Sequence, residues 1–595
     1  METKLAHPVR GNPIASVRSD RYPNDEELMY YAYISYGLLV LQICVYTRSF
    51  VHISTMALLS DLRIFNGQPV PITGILVLGL LGCGLYFVLR IGSRDKRLPP
   101  GPPTLPIIGN LHLVPKTSLA LKLKVWGEQY GGIYSLKFGP STVIVLFDRK
   151  AVNHLLDKKG AIYSERPFNY VPGLVTGGDS LAFMNTTPLW RQERKVAVHN
   201  LSPRALEGQV GEIQHAESVV LLSDLLNSPE GYYSHIKRMT ASVASTVVFG
   251  HRGPDANNFW AHAVYDAMDN YNASLEVGAN PPVDEFPFLR YIPDSLAYWK
   301  RRAKGSFKCM DDTWNEARRQ VNVRRQKGIK RDCIIDAILD GEKHGELELN
   351  DHQLNHFMGV LVEGGADTTA SAMLTSIMFL AMHPQYQEKA RKELDAVCGT
   401  SRLPQVSDMD QVPYINCIIK EGMRIHPVLP QAIPHRVLQD DFYDGYLIPK
   451  DSTVILPSWA LHMSETRGYK DPEAYNPDRF VGFNKFADVY AGSPDYENRD
   501  HYGYGAGRRI CPGIHLAERT QWRLTARLLW AFEIQQKVDS VTKKPIPIDL
   551  KAYDEGMAHC PKPFSVVFKP RSPDHVDVIK REMSDALKFL EAWDD

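Results

Sequence analysis

The sequence predicts a mainly α fold with small β-sheets, preceded by an N-terminal transmembrane helix. Three observations carry this reading. From Thr104 onward apolar residues recur mostly at helical spacing. Between them stand only short strand-like runs, such as 133–138 and 143–147. Residues 70–89 form twenty positions without a charge, long enough to cross a bilayer as a helix. No period of 20–50 residues repeats, which excludes solenoids and propellers.

The composition, 44% hydrophobic and 23% charged, is that of an ordinary globular core. With 68 acidic and 68 basic residues the net charge is zero, so no global basic field points to nucleic acid. The eight cysteines (44, 83, 309, 333, 398, 417, 511 and 560) are scattered, with no Cys-x-x-Cys pair and no zinc-type spacing. A reducing, cytosolic setting for the main domain follows.

Four glycines (74, 79, 82, 84) interrupt the apolar run, a pattern tolerated in membrane helices. Arg90, Arg94, Lys96 and Arg97 follow at once, which places that end in the cytosol by the positive-inside bias. Leu98-Pro99-Pro100-Gly101-Pro102-Pro103 then forms a stiff segment that cannot continue the helix, so 90–103 reads as basic patch and proline hinge. A cleaved signal peptide is excluded because the run starts far from the first residue. Within the extension 1–69, residues 29–46 form a second apolar, uncharged run just long enough to span. Lys and Arg number four in 1–28, two in 47–69 and four in 90–97, which fits a two-span hairpin. An interfacial helix, or residues absent from the mature protein, are the other readings of this extension.

The chemistry centres on Tyr504-Gly505-Ala506-Gly507-Arg508-Arg509-Ile510-Cys511-Pro512-Gly513. The pattern from Ile514 to Arg523 reads as a helix, with Cys511 at its N-terminal edge and Pro512 suited to the first helical position. Exposed amides and the helix dipole there favour a thiolate. The glycines permit positive φ and close approach of a flat object, and Arg509 could pair with an acidic group on it. A thiolate under a flat, carboxylate-bearing macrocycle is the axial-cysteine haem arrangement.

A second stretch predicts a long helix from an N-cap at Asn350 or Asp351 to His383-Pro384, roughly 50 Å at 1.5 Å per residue. Gly364 and Gly365 in its middle each cost about 1 kcal/mol against alanine, so they need a reason, and space for oxygen and substrate is the one proposed. Thr368 lies one turn after Gly364, placed to donate a proton there, and Asp367 beside it could relay protons from solvent. Back-bonding by Thr368 that merely bends the helix is the alternative, and the two are compatible.

The cysteine stretch resembles the haem-binding loop of the cytochrome P-450 family, Phe-x-x-Gly-x-Arg-x-Cys-x-Gly. Gly507, Arg509, Cys511 and Gly513 match, while Tyr504 replaces the usual Phe. Gly364 to Thr368 matches the family's oxygen-activation motif, Ala/Gly-Gly-x-Asp/Glu-Thr. Trp190 and Arg194 resemble its Trp-x-x-x-Arg element, in which both side chains reach a haem propionate. Glu421-Gly422-Met423-Arg424 followed by Pro477-Asp478-Arg479-Phe480 is similar to its buried Glu-Arg-Arg network. His435, in a proline-punctuated segment, is placed by the same resemblance at a propionate, and Gly556-Met557-Ala558 at a final turn toward substrate.

The resemblance covers 99 to about 570 and implies one haem-binding monooxygenase domain at 104–571, with a tail helix in 572–595. It implies haem b (iron protoporphyrin IX) held by Cys511, O2 and a small organic substrate, and electrons from NADPH through cytochrome P-450 reductase, with cytochrome b5 as a further donor. It also implies an endoplasmic reticulum membrane location with the catalytic domain facing the cytosol. The wording of the chain is similar to fungal members of secondary metabolism. A haem-thiolate isomerase or dehydratase acting on peroxides without O2 is the rival reading, but such enzymes tend to lose the acid–alcohol pair that Asp367 and Thr368 supply. A non-enzymatic haem sensor ranks below both.

Overall fold

A computed structural model describes residues 72–594 apart from 277, 342–348, 467 and 555. The extension 1–69, with its second apolar run, therefore lies outside the described residues. The chain divides into two units, 1–86 and 87–595.

The apolar run forms a 19-residue helix, Ile72–Arg90. Its side chains are described from Leu76 onward. Among the described residues no helix is long and apolar enough to cross a membrane. Leu76, Leu80, Leu81 and Phe87 are exposed, and a Cβ added at Gly79, Gly82 or Gly84 would meet nothing within 4 Å.

The proline segment is stapled down rather than free to hinge. Arg94, expected as part of a surface basic patch, reaches the carbonyls of Gly101 (2.5 Å), Pro102 (2.7 Å) and Ser135 (3.0 Å). Ser135 in turn donates its hydroxyl to the Pro99 carbonyl at 2.6 Å. Proline carbonyls lack neighbouring N–H groups to pair with, so an arginine and a strand edge satisfy them.

The strands are β1 (Ile133–Phe138), β2 (Ser141–Leu146), β3 (His435–Arg436), β4 (Asp441–Tyr443), β5 (Tyr446–Ile448), β6 (Thr453–Ile455), β7 (Phe532–Gln536) and β8 (Val566–Pro570). They make a four-stranded sheet ordered β1-β2-β6-β3 and two hairpins, β4-β5 and β7-β8. β1 and β2 pair antiparallel from Ile133 opposite Leu146 to Phe138 opposite Ser141. Asp444-Gly445 closes β4-β5 with positive φ at both positions, as a two-residue hairpin requires.

Helices form the rest, built around the central helix Asp351–Met382. Asn350 caps it, with Gln353 completing a reciprocal capping box. Pro384 ends it by opening the next helix, Pro384–Val397. From Ala366 to Ala381 nearly every side chain is buried, which marks a helix enclosed on all sides. Helices Tyr232–Phe249, Phe259–Leu275 and Tyr298–Gln326 flank it on one side, and Ile514–Ala531, the cysteine helix, packs on it too. The tail helix Pro573–Leu590 seats Val578, Ile579, Ala586 and Leu590 in the same core and lies against Gln209–Asn227.

Candidate active site

Cys511 sits at the end of a tightly braced loop. Gly505 and Gly507 adopt φ of 76° and 67°. A Cβ on Gly507 would lie 2.2 Å from the Leu156 carbonyl oxygen, so only glycine fits there. The Gly507 amide donates to Asp157 at 2.7 Å, and the Cys511 amide to the Tyr504 carbonyl at 3.0 Å. The cysteine helix begins only at Ile514, with Gly513 in the capping position. Pro512 therefore precedes the helix instead of opening it, and the Gly513 amide is left to hydrogen-bond the cysteine sulfur.

Burial raises the Cys511 pKa, and the Gly513 amide and the Arg194 charge oppose that rise without overcoming it. The expectation that amides and dipole alone would yield a thiolate is thus corrected: the apolar pocket favours the thiol until a metal displaces its proton. The Tyr504 hydroxyl, the departure from the family pattern, is fully used. It donates to Glu518 at 2.7 Å and accepts from Gln521 at 2.9 Å, so the aromatic body stays in place.

Above the loop, guanidinium groups converge. Arg509 donates to the carbonyls of Ser164 (2.8 Å) and Met184 (2.7 Å), while its Nη1 is buried without a partner. Its guanidinium carbon lies 4.0 Å from the centre of the Trp190 ring. Trp190 donates its indole N–H to the Leu181 carbonyl at 3.1 Å, so here it supports Arg509 from below. Arg194 donates to the Ile510 carbonyl beside the cysteine. Arg166, which the sequence motifs did not single out, donates to the carbonyls of Ile433 and Pro434, each at 2.7 Å. Burial lowers the pKa of all three arginines, with mutual repulsion adding to it for Arg166 and Arg509.

Among the described residues Glu165 is the one carboxylate acting on Arg509, so there the cradle holds more positive than negative charge. A macrocycle bearing two propionates would supply the missing anions, and the orphaned Nη1 of Arg509 would find its partner on one of them. The residues present fit a haem. His435 fits this role poorly. Its Nδ1 lies 2.7 Å from the Tyr163 carbonyl, and burial with the Arg166 charge pushes its pKa down to about 3. With Nδ1 committed to that carbonyl, only Nε2 is left to face a propionate, and it donates there only when the ring is protonated.

On the central helix the two glycines serve different ends. A Cβ on Gly364 would meet nothing within 4 Å, whereas one on Gly365 would lie 3.2 Å from Ala244. Gly364 thus leaves open space, and Gly365 allows close packing against Tyr232–Phe249. Thr368 donates its hydroxyl to the Gly364 carbonyl at 2.6 Å, the back-bond foreseen as an alternative. Asp367 is buried; desolvation raises its pKa to about 6, with Lys237 and an Asn272 hydrogen bond pulling the other way. One turn beyond Thr368, Ala372 shares an apolar cluster with Met423, Val428, Leu429, Ala558 and the ring of Tyr504. The glycine-notched helix, the proline-rich segment, the final turn and the cysteine loop therefore meet in one apolar cluster.

Behind the cysteine, Arg424 grips both oxygens of Glu421 at 2.6 and 2.9 Å, and Arg479 reaches the same carboxylate at 3.2 Å. Glu421 and Arg424 are fully buried on the helix Tyr414–Ile425. Arg424 and Arg479 satisfy their other donors on the carbonyls of Pro472, Asp471 and Ala474. Sequence reasoning missed the equally buried pair Lys420–Asp500, at 2.5 Å, because an acid eighty residues away carries no local spacing signal.

A mainly helical domain presenting a cysteine under a cluster of arginines, opposite a glycine-notched helix, defines a haem-thiolate protein. The family model for cytochrome P-450 matches residues 99–563. Cytochrome P-450 monooxygenase acuD of Aspergillus aculeatus is 38% identical over 539 residues, covering 90% of this chain and 99% of the relative. Cytochrome P-450 monooxygenase patI of Aspergillus clavatus is 40% identical over 529 residues, covering 88% and 99%. A solved zebra fish cytochrome P-450 with abiraterone superposes with a TM-score of 0.60 at 23% identity, covering 76% of this chain and all of that one, a likeness of fold alone. The chain belongs to the cytochrome P-450 family. It is a monooxygenase, an oxidoreductase that uses haem, O2, an organic substrate and a redox partner.

Proposed function

We propose that the protein binds haem b and inserts one oxygen atom of O2 into a small, largely apolar organic substrate in a fungal secondary-metabolic pathway. Electrons come from NADPH through a cytochrome P-450 reductase, with cytochrome b5 as a further donor. The observation that carries this reading is Cys511 at the mouth of its helix beneath the unneutralised Arg166–Arg194–Arg509 cradle.

Cys511 would ligate the iron, and Arg509, Arg194 and Arg166 would hold the propionates, with Trp190 stacked under Arg509. When bound, a thiolate-ligated haem supplies O–O cleavage and C–H oxidation. The chain's own residues supply the proton path and the walls. Asp367, with its pKa raised to about 6, exchanges protons near neutrality and stands next to Thr368 on the groove. Ala372, Val428, Leu429 and Ala558 give the space an apolar lining that excludes water and suits an apolar substrate. The retained Asp367–Thr368 pair favours oxygen activation over rearrangement of a peroxide.

We also infer that Ile72–Arg90, though too short among the described residues to cross a bilayer, attaches the protein to the endoplasmic reticulum membrane through its exposed apolar side chains, with the catalytic domain in the cytosol. The charge-free run before Arg90, and the exposed Leu76, Leu80, Leu81 and Phe87, support it.

The decisive test is Cys511→Ser, expressed with a reductase. Reduced wild type with carbon monoxide should show the red-shifted Soret band of a thiolate ligand, and the variant should lack it. An unchanged band in the variant would rule out the ligand assignment.

A further inference from the structure

Away from the cysteine loop, the central helix opens with His352 and His356, four residues apart and therefore on one face. Opposite them, on the neighbouring helix Tyr298–Gln326, stands Asp311. One oxygen of Asp311 lies 3.3 Å from His352 Nδ1 and 3.2 Å from His356 Nε2. The three ligand-type atoms all fall within 4.8 Å of one another. Two donors each about 2.0–2.1 Å from a tetrahedral ion are separated by about 3.3 Å, so this spacing already suits a zinc-class cation.

The surroundings are built for holding these rings. Phe307 stacks on His356 at 5.9 Å and 11°. Gly177 comes so close that a Cβ there would lie 2.8 Å from Phe307 and 3.0 Å from His352 Nε2, and its φ of 66° is one glycine accepts freely. That approach brings Asp179 to within 3.8 Å of His352 Nε2, the nitrogen facing away from Asp311. At that distance the carboxylate makes no hydrogen bond to the ring and acts on it through its charge, which favours a metal-bound imidazole. His356 is buried, while Asp311 and His352 are each about a third exposed, which leaves a path for an ion and for water ligands.

We propose that Asp311, His352 and His356 bind a divalent zinc-class ion, with Asp179 adding negative charge behind His352. The ion clamps the helix Tyr298–Gln326 and the loop at Gly177 to the first turns of the central helix. The residue after His352 is Gln353, whose side chain belongs to the helix cap. The position that follows the histidine ligand thus carries no carboxylate base, and the ion's role is structural.

The test uses untagged, haem-loaded, full-length protein stripped of adventitious metal with a chelator. The protein is incubated with Zn(II), desalted, and assayed for zinc and iron per chain, with affinity from competition against a chromophoric chelator. About one zinc per chain is expected in wild type. Asp311→Asn and His352→Gln should weaken binding at least tenfold, and Asp179→Asn by less than either, with the reduced carbon monoxide spectrum unchanged in each. Wild type that retains no zinc after desalting would overturn the proposal, as would Asp311→Asn and His352→Gln proteins that bind as tightly as wild type.

Discussion

Asp367 illustrates how one residue's surroundings set its chemistry. It is buried among Lys237, Asp269, Asp554 and Asn272, and desolvation raises its pKa to about 6 from an unfolded value of about 3.9. A carboxyl whose pKa is raised by folding contributes most below the unfolded value and loses that contribution as pH climbs through the folded one. The loss approaches about 3 kcal/mol above both values. Asp367→Asn should therefore melt higher than wild type at pH 8, with the gain vanishing near pH 4. Its product formed per NADPH should fall at the same time, because the amide cannot pass a proton. A pH series of melting curves, and product-to-NADPH ratios at neutral pH, check the two halves separately.

Among helices, Tyr414–Ile425 shows what a buried ion network does for the site. Arg424 holds both oxygens of Glu421, Arg479 shares Oε1 with it, and the Asn476 amide adds a bond to the same oxygen at 2.6 Å. Glu421→Gln leaves two guanidiniums without their anion. It is expected to lose roughly 3–5 kcal/mol, seen as a lower denaturation midpoint and poor haem retention, with the Cys511 loop itself untouched. Glu-x-x-Arg was legible because two charges three apart share a helical face, and the central helix was legible because its cap and its stopping proline are local. The cysteine loop was legible for the same reason, since glycine and arginine at fixed offsets are a local pattern. Other features depend on chain segments that meet only after folding. Arg166 acquires its place from Arg194 and Arg509, and His435 loses its expected place to the Tyr163 carbonyl. Gly365 looks like its neighbour in sequence yet faces Ala244. The His352–His356 pair was readable in the chain, but its meaning lay in Asp311, forty-one residues away.

For the molecule as a whole, the boundary between the two units falls inside the N-terminal apolar helix, after Tyr86, and within the second unit Arg94 pins the segment that follows the helix to β1. A chain lacking residues 1–90 is expected to leave carbonate-washed membranes for the soluble fraction while keeping its reduced carbon monoxide spectrum. Fractionation of the expressing cells with blotting tests this, and retention in the washed pellet would count against Ile72–Arg90 as the anchor.

The arginine cradle also bears on biogenesis. Arg166, Arg194 and Arg509 crowd together around Glu165, so the newly made polypeptide must bring like charges into a dry interior before anything offsets them. Porphyrin then acts as the final piece of the nucleus rather than as cargo loaded into a finished shell. A ligand that binds only the folded chain stabilises it by mass action, so the folded fraction is expected to rise with cellular tetrapyrrole supply.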